Sequence, residues 1–317
     1  MADLDAVTGA FSFTGGFIAR RLLADGRRVR TLTNHPRRAG AEEIDVEVVP
    51  LQFTDRDALI ESLRGVDVLY NTYWIRFPHA GTGFGDAIAN TRRLMFAAAA
   101  AGVRKVVHIS VSNPSVDDPL DYYAGKARAE AVVRESGMQW AVVRPTLIFG
   151  PGDILINNIA WLLRRVPVFF IPGHGTYRLQ PVAGEDVAEI AVWAAAESES
   201  VTVDAAGPDT ISYAELVDSV AIAIQHKRRI FFTSPALTLV AGRVLGRYLK
   251  DVILTPQELA GLMDEHLVSN EPPRGHARIE DWLLRAADGL GTGYASELDR
   301  HFRDLPRLVA GTPKEDQ

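Results

Sequence analysis

Tyr122 and Lys126 stand four residues apart, the spacing that puts two side chains on one face of a helix. A free tyrosine titrates near ~10, too high for easy proton transfer at neutral pH. A neighbouring ammonium favours the phenolate and lowers that value. Such a tyrosine can pass a proton to or from a carbonyl or alcohol oxygen. Ser112 follows the apolar run Val106–Ile109, where its hydroxyl could bind the same oxygen. Tyr-x-x-x-Lys alone is common on solvated helix faces, so its surroundings must decide.

A second cluster lies at the N-terminus. The apolar run Leu4–Val7 leads into Thr8-Gly9-Ala10-Phe11-Ser12-Phe13-Thr14-Gly15-Gly16 and then a helical pattern. Glycines permit the tight turn and close backbone approach, and the helix beyond offers free N–H groups to a pyrophosphate. This strand–turn–helix context predicts a nicotinamide dinucleotide site. The acidic residue that would hold an unmodified ribose at the end of the second strand is missing. Thr33 is followed instead by Asn34-His35-Pro36-Arg37-Arg38. Arg37 or Arg38 could pair with a 2′-phosphate, so NADP(H) is the preferred cofactor and NAD(H) the alternative.

The elements that must position these residues follow from periodicity. Strands are predicted at Leu4–Val7, Val29–Thr33, Val46–Pro50, Val68–Tyr70, Val106–Ile109 and Trp140–Val143. Helices alternate with them at Gly16–Ala24, Arg56–Leu63, Gly85–Ala101 and Tyr122–Ser136. Continuous β-branched runs separated by helices mean parallel strands covered on both faces, hence an α/β, doubly wound parallel sheet of the Rossmann type. Gly26, Gly65, Gly102 and Gly137 each close a helix just before a strand. After Pro145 the pattern changes. Helices are expected near Leu155–Arg164 and Val187–Ala196, a Pro/Gly-rich stretch from Pro167 to Gly175, a strand at Val201–Asp204, and mainly helix from Tyr213. The domain reading is a dinucleotide-binding domain over 1–150 with a returning segment near 180–206, and a smaller, mainly helical substrate or cap domain over 151–317.

Composition narrows the function classes. The chain has 317 residues, 47% hydrophobic and 23% charged, with a formal net charge of −6; it lacks the basic bias expected of a nucleic-acid binder. Arg20-Arg21 and Arg164-Arg165 read as solvated faces. With no cysteine and eight histidines lacking ligand spacing, no metal site is expected. The N-terminus does not read as a secretory signal, and Phe96–Ala101 and Pro235–Gly242 are too short to span a bilayer. The expectation is a cytoplasmic protein acting on a small-molecule substrate; a homodimer is compatible.

The motifs together resemble the short-chain dehydrogenase/reductase superfamily, in its extended and atypical branches. The carriers are Thr8-Gly9-x-x-Ser12-x-x-Gly15, Val66-Asp67-Val68, Asn90-Thr91, Ser112, Tyr122-x-x-x-Lys126, Arg144-Pro145 with Phe149-Gly150-Pro151-Gly152, Gln180-Pro181-Val182 and Glu185-Asp186-Val187-Ala188. The likeness to the group containing the nucleotide-binding accessory subunit of respiratory complex I extends to Leu254-Thr255-Pro256-Gln257-Glu258. The resemblance implies catalysis by Tyr122, Lys126 and Ser112, with Lys126 also on the nicotinamide ribose. It implies cofactor contacts from Gly9, Phe11, Ser12, Phe13, Thr14, Gly15, Asn34, Arg37, Arg38, Phe53, Asn71, Tyr73, Pro145 and Leu147, and substrate contacts from Trp74, Phe149 and Asn157. Trp161, His174, Tyr177 and Gln180 are further pocket candidates. The chain departs from the family pattern in three places. Ser12 stands where a glycine is usual, bulky Tyr73-Trp74 follow strand four, and fewer residues than usual separate Ser112 from Tyr122. Three functions fit: an NADP(H)-dependent oxidoreductase, a non-catalytic NADPH-binding sensor or accessory subunit, and a nucleotide-sugar epimerase or dehydratase.

Overall fold

A computed structural model describes residues 3–34, 44–226 and 229–301. In chain order the first elements are β1 (Leu4–Thr8), α1 (Phe13–Ala24), β2 (Arg28–Leu32), β3 (Glu47–Val49), α2 (Arg56–Ser62), β4 (Val68–Asn71), α3 (Phe84–Ala100), β5 (Lys105–Ile109), α4 (Asp121–Arg134) and β6 (Gln139–Pro145). Next come β7 (Leu147–Phe149), α5 (Leu155–Arg165), β8 (Val168–Pro172), β9 (Arg178–Leu179), β10 (Pro181–Ala183), α6 (Gly184–Ala196), β11 (Val201–Ala205), β12 (Ile211–Ser212) and α7 (Tyr213–Ala223). The last are β13 (Arg229–Thr233), α8 (Pro235–Leu249), α9 (Pro256–Met263), α10 (Ile279–Ala286) and α11 (Glu297–His301).

Seven strands form one parallel sheet in the order β11-β6-β5-β4-β1-β2-β3. The expected doubly wound sheet is therefore what the chain adopts. Adjacent residues of one strand feed opposite layers, as the two-residue period of a strand requires. Val7 and Val107 pack with Phe17, Ile18 and Val187 of α1 and α6. Ala6 and Val106 pack with Leu94, Met95 and Val133 of α3 and α4. The strand order reverses between β1 and β4, which opens a crevice at their carboxyl ends. Gly26, Gly65, Gly102 and Gly137 all take positive φ, as the helix-closing reading requires.

One segment differs from expectation. The Pro/Gly-rich stretch from Pro167 to Gly175, to which no strand was assigned, contains β8, and it pairs in parallel with β13, a strand inside the region expected to be mainly helical. Its Val-Phe-Phe-Ile run is a good strand, but the partner lies far along the chain and leaves no local signal. Around it a separate core forms from Phe149, Ile156, Leu163, Leu179, Leu216 and Leu283. Asn157 and Arg164-Arg165 close that unit by bonding backbone of the 287–293 turn.

Buried Glu130 fixes α4 to the sheet. Its carboxylate accepts from Arg144 Nε and Nη2 of β6 at 2.9 and 2.7 Å and from Arg134 at 2.9 Å. Burial opposes its ionisation, yet the Arg144 hydrogen bond and both guanidinium charges hold its carboxyl below the usual range. Removing one partner of a buried pair strands the other. Glu130→Ala is expected to lower unfolding free energy by on the order of 3 kcal/mol, measured by urea denaturation. A change below about 0.5 kcal/mol, the size of a surface substitution, would refute the anchoring role.

Candidate functional site

The turn after β1 is set by two threonine side chains, Thr31 of β2 and Thr72 just after β4. Ala10 N–H donates to the Thr31 hydroxyl at 2.8 Å, and the Thr72 hydroxyl donates to the Thr8 carbonyl. Gly9 has φ +72°, and a Cβ on Gly15 would lie 2.2 Å from the Gly9 carbonyl oxygen. Ser12 is the N-cap of α1, its Oγ accepting from Gly15 N–H at 3.3 Å. That gives the residue in the glycine position a local reason. The next two amides, Phe13 and Thr14, have no acceptor among the described residues, so two donors at a helix N-terminus remain for an anion. The geometry fits a pyrophosphate.

Other proposed cofactor residues divide. Phe53 and Tyr73 form an aromatic pair, centroids 4.7 Å apart, with Asn90 Nδ2 donating to the Tyr73 hydroxyl. Asn71 is fully buried and works inside the protein. Its Oδ1 accepts from Thr8 Oγ1 and Tyr73 N–H, while its Nδ2 lies 3.0 Å from His108 Nδ1. Burial pushes the His108 imidazole down to about 3, so it is neutral and accepts from the amide. Asn34 is also engaged, bonding the Leu51 backbone through both amide atoms. Pro145 carries the carbonyl that accepts from Ser112 N–H, and Leu147 packs against the second core. Arg37 and Arg38 lie outside the described residues, and Phe11 sits in the turn itself.

Tyr122 and Lys126 share the first turns of α4. Lys126 is buried, and its Nζ donates to the Ile109 carbonyl at the end of β5 at 3.0 Å. The Trp74 ring lies 4.9 Å from the same atom and stacks on Phe84; Tyr122 meets both rings edge-on. The Tyr122 hydroxyl has no hydrogen-bond partner among the described residues. Neither does the buried Trp74 Nε1. An unpaired buried donor is costly, which makes this aromatic wall a place where a ligand oxygen would be welcome.

The electrostatics differ from the sequence reading. Burial pushes Lys126 down to about 7, with Glu130 opposing. Burial raises Tyr122 to about 12, and the cation that pulls it back is Arg76. Lys126 does not depress the Tyr122 hydroxyl, because desolvation outweighs the effect expected from an exposed pair. Arg76, which the motif reading missed, pairs with Glu258 and Glu297 from α9 and α11. Only the fold brings these groups beside Tyr122.

Ser112 does not present a free hydroxyl. Its Oγ donates to the His266 carbonyl at 2.6 Å, and Asn113 Nδ2 donates to the same oxygen. His266 packs against Tyr123 with the rings tilted and bonds Asp118. Gln257 Nε2 donates to Asp121. The segment from α9 to Ser269 thus covers this end of α4. The block noted at Leu254–Glu258 is the start of α9, a capping box of Thr255 and Glu258 with proline behind the cap.

The remaining pocket candidates are dispersed. Phe149 is 1% exposed, packed in the second core against Trp282. Asn157 bonds Gly291 and Gly293, Trp161 meets Tyr294 edge-on, and Tyr177 stacks on Tyr213. Gln180 bonds Gly207 and Ser269, and His174 is exposed. Of the three residues proposed for substrate, only Trp74 lies beside Tyr122. No cluster of potential metal ligands occurs among the described residues.

Residues 9–152 match the family model described as NAD(P)H-binding. The chain is similar to the atypical branch of the short-chain dehydrogenases/reductases. It is 28% identical over 86% of its length, and 72% of the relative, to the NADH-ubiquinone oxidoreductase 40 kDa subunit of Neurospora crassa. It is 36% identical over 51% of its length to a (4-alkanoyl-5-oxo-2,5-dihydrofuran-3-yl)methyl phosphate reductase of Streptomyces griseus, of which it spans 56%. It is 30% identical over 58% of its length to a ceramide reductase of Caulobacter vibrioides, spanning 58% of that protein. The fold also matches the NADPH-dependent quinone oxidoreductase of Escherichia coli, with TM-score 0.71, 18% identity and coverage of 90% and 99% of the two chains. Oxidoreductase or reductase is the name these proteins share. No helix among the described residues is long and apolar enough to cross a membrane.

Proposed function

We propose that the protein is an NADP(H)-dependent reductase of a small carbonyl compound, with Tyr122 as the proton donor. The observation that carries this is the Tyr122 hydroxyl. It has no partner among the described residues, lies one turn before buried Lys126, and meets the unpaired Trp74 indole across an aromatic wall. A bound nicotinamide cofactor would supply the two electrons and the hydrogen for the carbonyl carbon. Tyr122 holds its proton at neutral pH, since burial raises it to about 12, and gives it to the carbonyl oxygen as the carbon is reduced. The unpaired Trp74 Nε1 supports a role in holding that oxygen. Lys126 is kept close by the Ile109 carbonyl, where it can bond a ribose hydroxyl, and Arg76 is the cation that steadies the negative charge left on the phenol. Two reductases among the relatives support this reading. The missing carboxylate after β2 favours the phosphorylated cofactor.

A second reading has its own observation. Ser112, the third expected catalytic group, is tied to the His266 carbonyl, and accessory complex I subunits are among the relatives. On this reading the protein binds NADPH without turnover.

Thermal denaturation with NADPH, NADP, NADH and NAD tests the shared premise. A native-state ligand at about a hundred times its Kd adds about 2.7 kcal/mol, so NADPH and NADP should raise Tm more than the unphosphorylated pair. Equal shifts would remove the NADP preference, and no shift with cofactor-free protein would remove the binding function. Steady NADPH oxidation with a defined carbonyl substrate then separates the two readings.

A further inference from the structure

β13 runs into α8 through Ser234 alone, and α8 half-buries Leu239, Leu245 and Leu249 on its inward side while carrying a second apolar stripe outward. Leu237, Val240, Val244 and Tyr248 recur every three or four residues, so they share one face. That face is opposite Gly246, the single buried residue of the helix, whose Cα side sits against the Asp251 carbonyl. An amphipathic helix normally buries its apolar stripe. Here Val244 is 67% and Tyr248 82% exposed, and Phe231 and Phe232 of β13 are about half exposed.

The charge along this stretch of the sequence has one sign. Between Asp218 and Asp251 the sequence carries Lys227, Arg228, Arg229, Arg243, Arg247 and Lys250 and no carboxylate, within a chain of net charge −6. Arg243 and Arg247 fall along one flank of the stripe and are exposed. An outward apolar stripe with aromatics and a basic flank suits a helix lying in the boundary between lipid headgroups and acyl chains. At 15 residues the helix is too short to span.

We infer that β13 and α8 dock the protein on the surface of an anionic phospholipid bilayer. Leu237, Val240, Val244 and Tyr248 enter the acyl boundary, and Arg243 and Arg247 reach lipid phosphates. The acidic remainder of the chain is repelled from such a surface, so docking has one orientation. A second copy is the poorer occupant, because two-fold packing of this face would set its arginines against their own copies.

The test is flotation of the full-length protein with vesicles of phosphatidylcholine alone or of phosphatidylcholine with one-third phosphatidylglycerol. Wild type is expected to float with the anionic vesicles, and to do so less as salt screens the arginines. Val244→Glu with Tyr248→Glu, and separately Arg243→Glu with Arg247→Glu, are expected to weaken that binding by about tenfold or more. Both should keep the wild-type melting temperature, since these side chains are mostly exposed in the free protein. Wild type remaining with the lipid-free fraction overturns the inference. So does flotation that neither double variant reduces. A wild-type dimer, absent from vesicles, that the glutamate variants convert to monomer would make the stripe a subunit interface instead.

Discussion

Tyr122→Phe is expected to lower turnover of the NADPH-dependent carbonyl reduction by about 10²–10⁴-fold, the usual contribution of a positioned acid. The substitution removes one hydroxyl that has no protein partner among the described residues. No internal hydrogen bond is lost, and the ring contacts to Trp74, Phe84 and Tyr123 stay available. Melting temperature and the NADPH-induced thermal shift should therefore match wild type, and the loss should fall on kcat. Steady-state kinetics alongside cofactor titration check this. Full turnover in the variant would dismiss Tyr122 as proton donor, while an equal loss of cofactor binding would make it a structural residue of the site.

Gly15→Ala is expected to abolish the thermal shift with NADPH. A Cβ there would lie 2.2 Å from the Gly9 carbonyl oxygen and 2.9 Å from Ser12 Oγ. Both neighbours belong to the turn that exposes the Phe13 and Thr14 amides, and the carbonyl is backbone that cannot rotate aside. The start of α1 must move away from β1 to admit the methyl, so the donors leave the positions that converge on a pyrophosphate. Overpacking of this kind costs about 1–3 kcal/mol, so the variant should fold with a lowered Tm. The checks are urea denaturation and the NADPH titration used above. A variant with wild-type affinity would show that this turn is not the phosphate cradle.

Much of this arrangement was legible in the residues. Val106 and Val107 mark a strand buried on both faces, and Gly102 closes the helix before it; such signals are local, because φ preference and side-chain period act within a few residues. The strand–turn–helix at Gly9–Gly15 was legible for the same reason. The role of Ser12 was only half so. Its departure from a glycine pattern is visible in sequence, while its work as the cap of α1 depends on the turn geometry.

Long-range partners were not legible. Asn71 has the position of a ligand contact in the motif, yet His108 and Thr8 take up its amide. Phe149 stands in the most specific block of the sequence and is packed against Trp282. β8 was hidden because β13, which pairs with it, is remote in the chain. Arg76 carries no motif, and its proximity to Tyr122 follows from where α9 and α11 deliver Glu258 and Glu297.

The sequence by itself therefore determined the doubly wound sheet, the glycine turn and the placement of Tyr122 and Lys126 on one helical face. Each is settled by backbone preference and periodicity over short distances. The tertiary structure decided the protonation of the pair. Lys126 is pushed down to about 7 and Tyr122 up to about 12, because desolvation depends on every chain segment that excludes water from the site, and no motif encodes it.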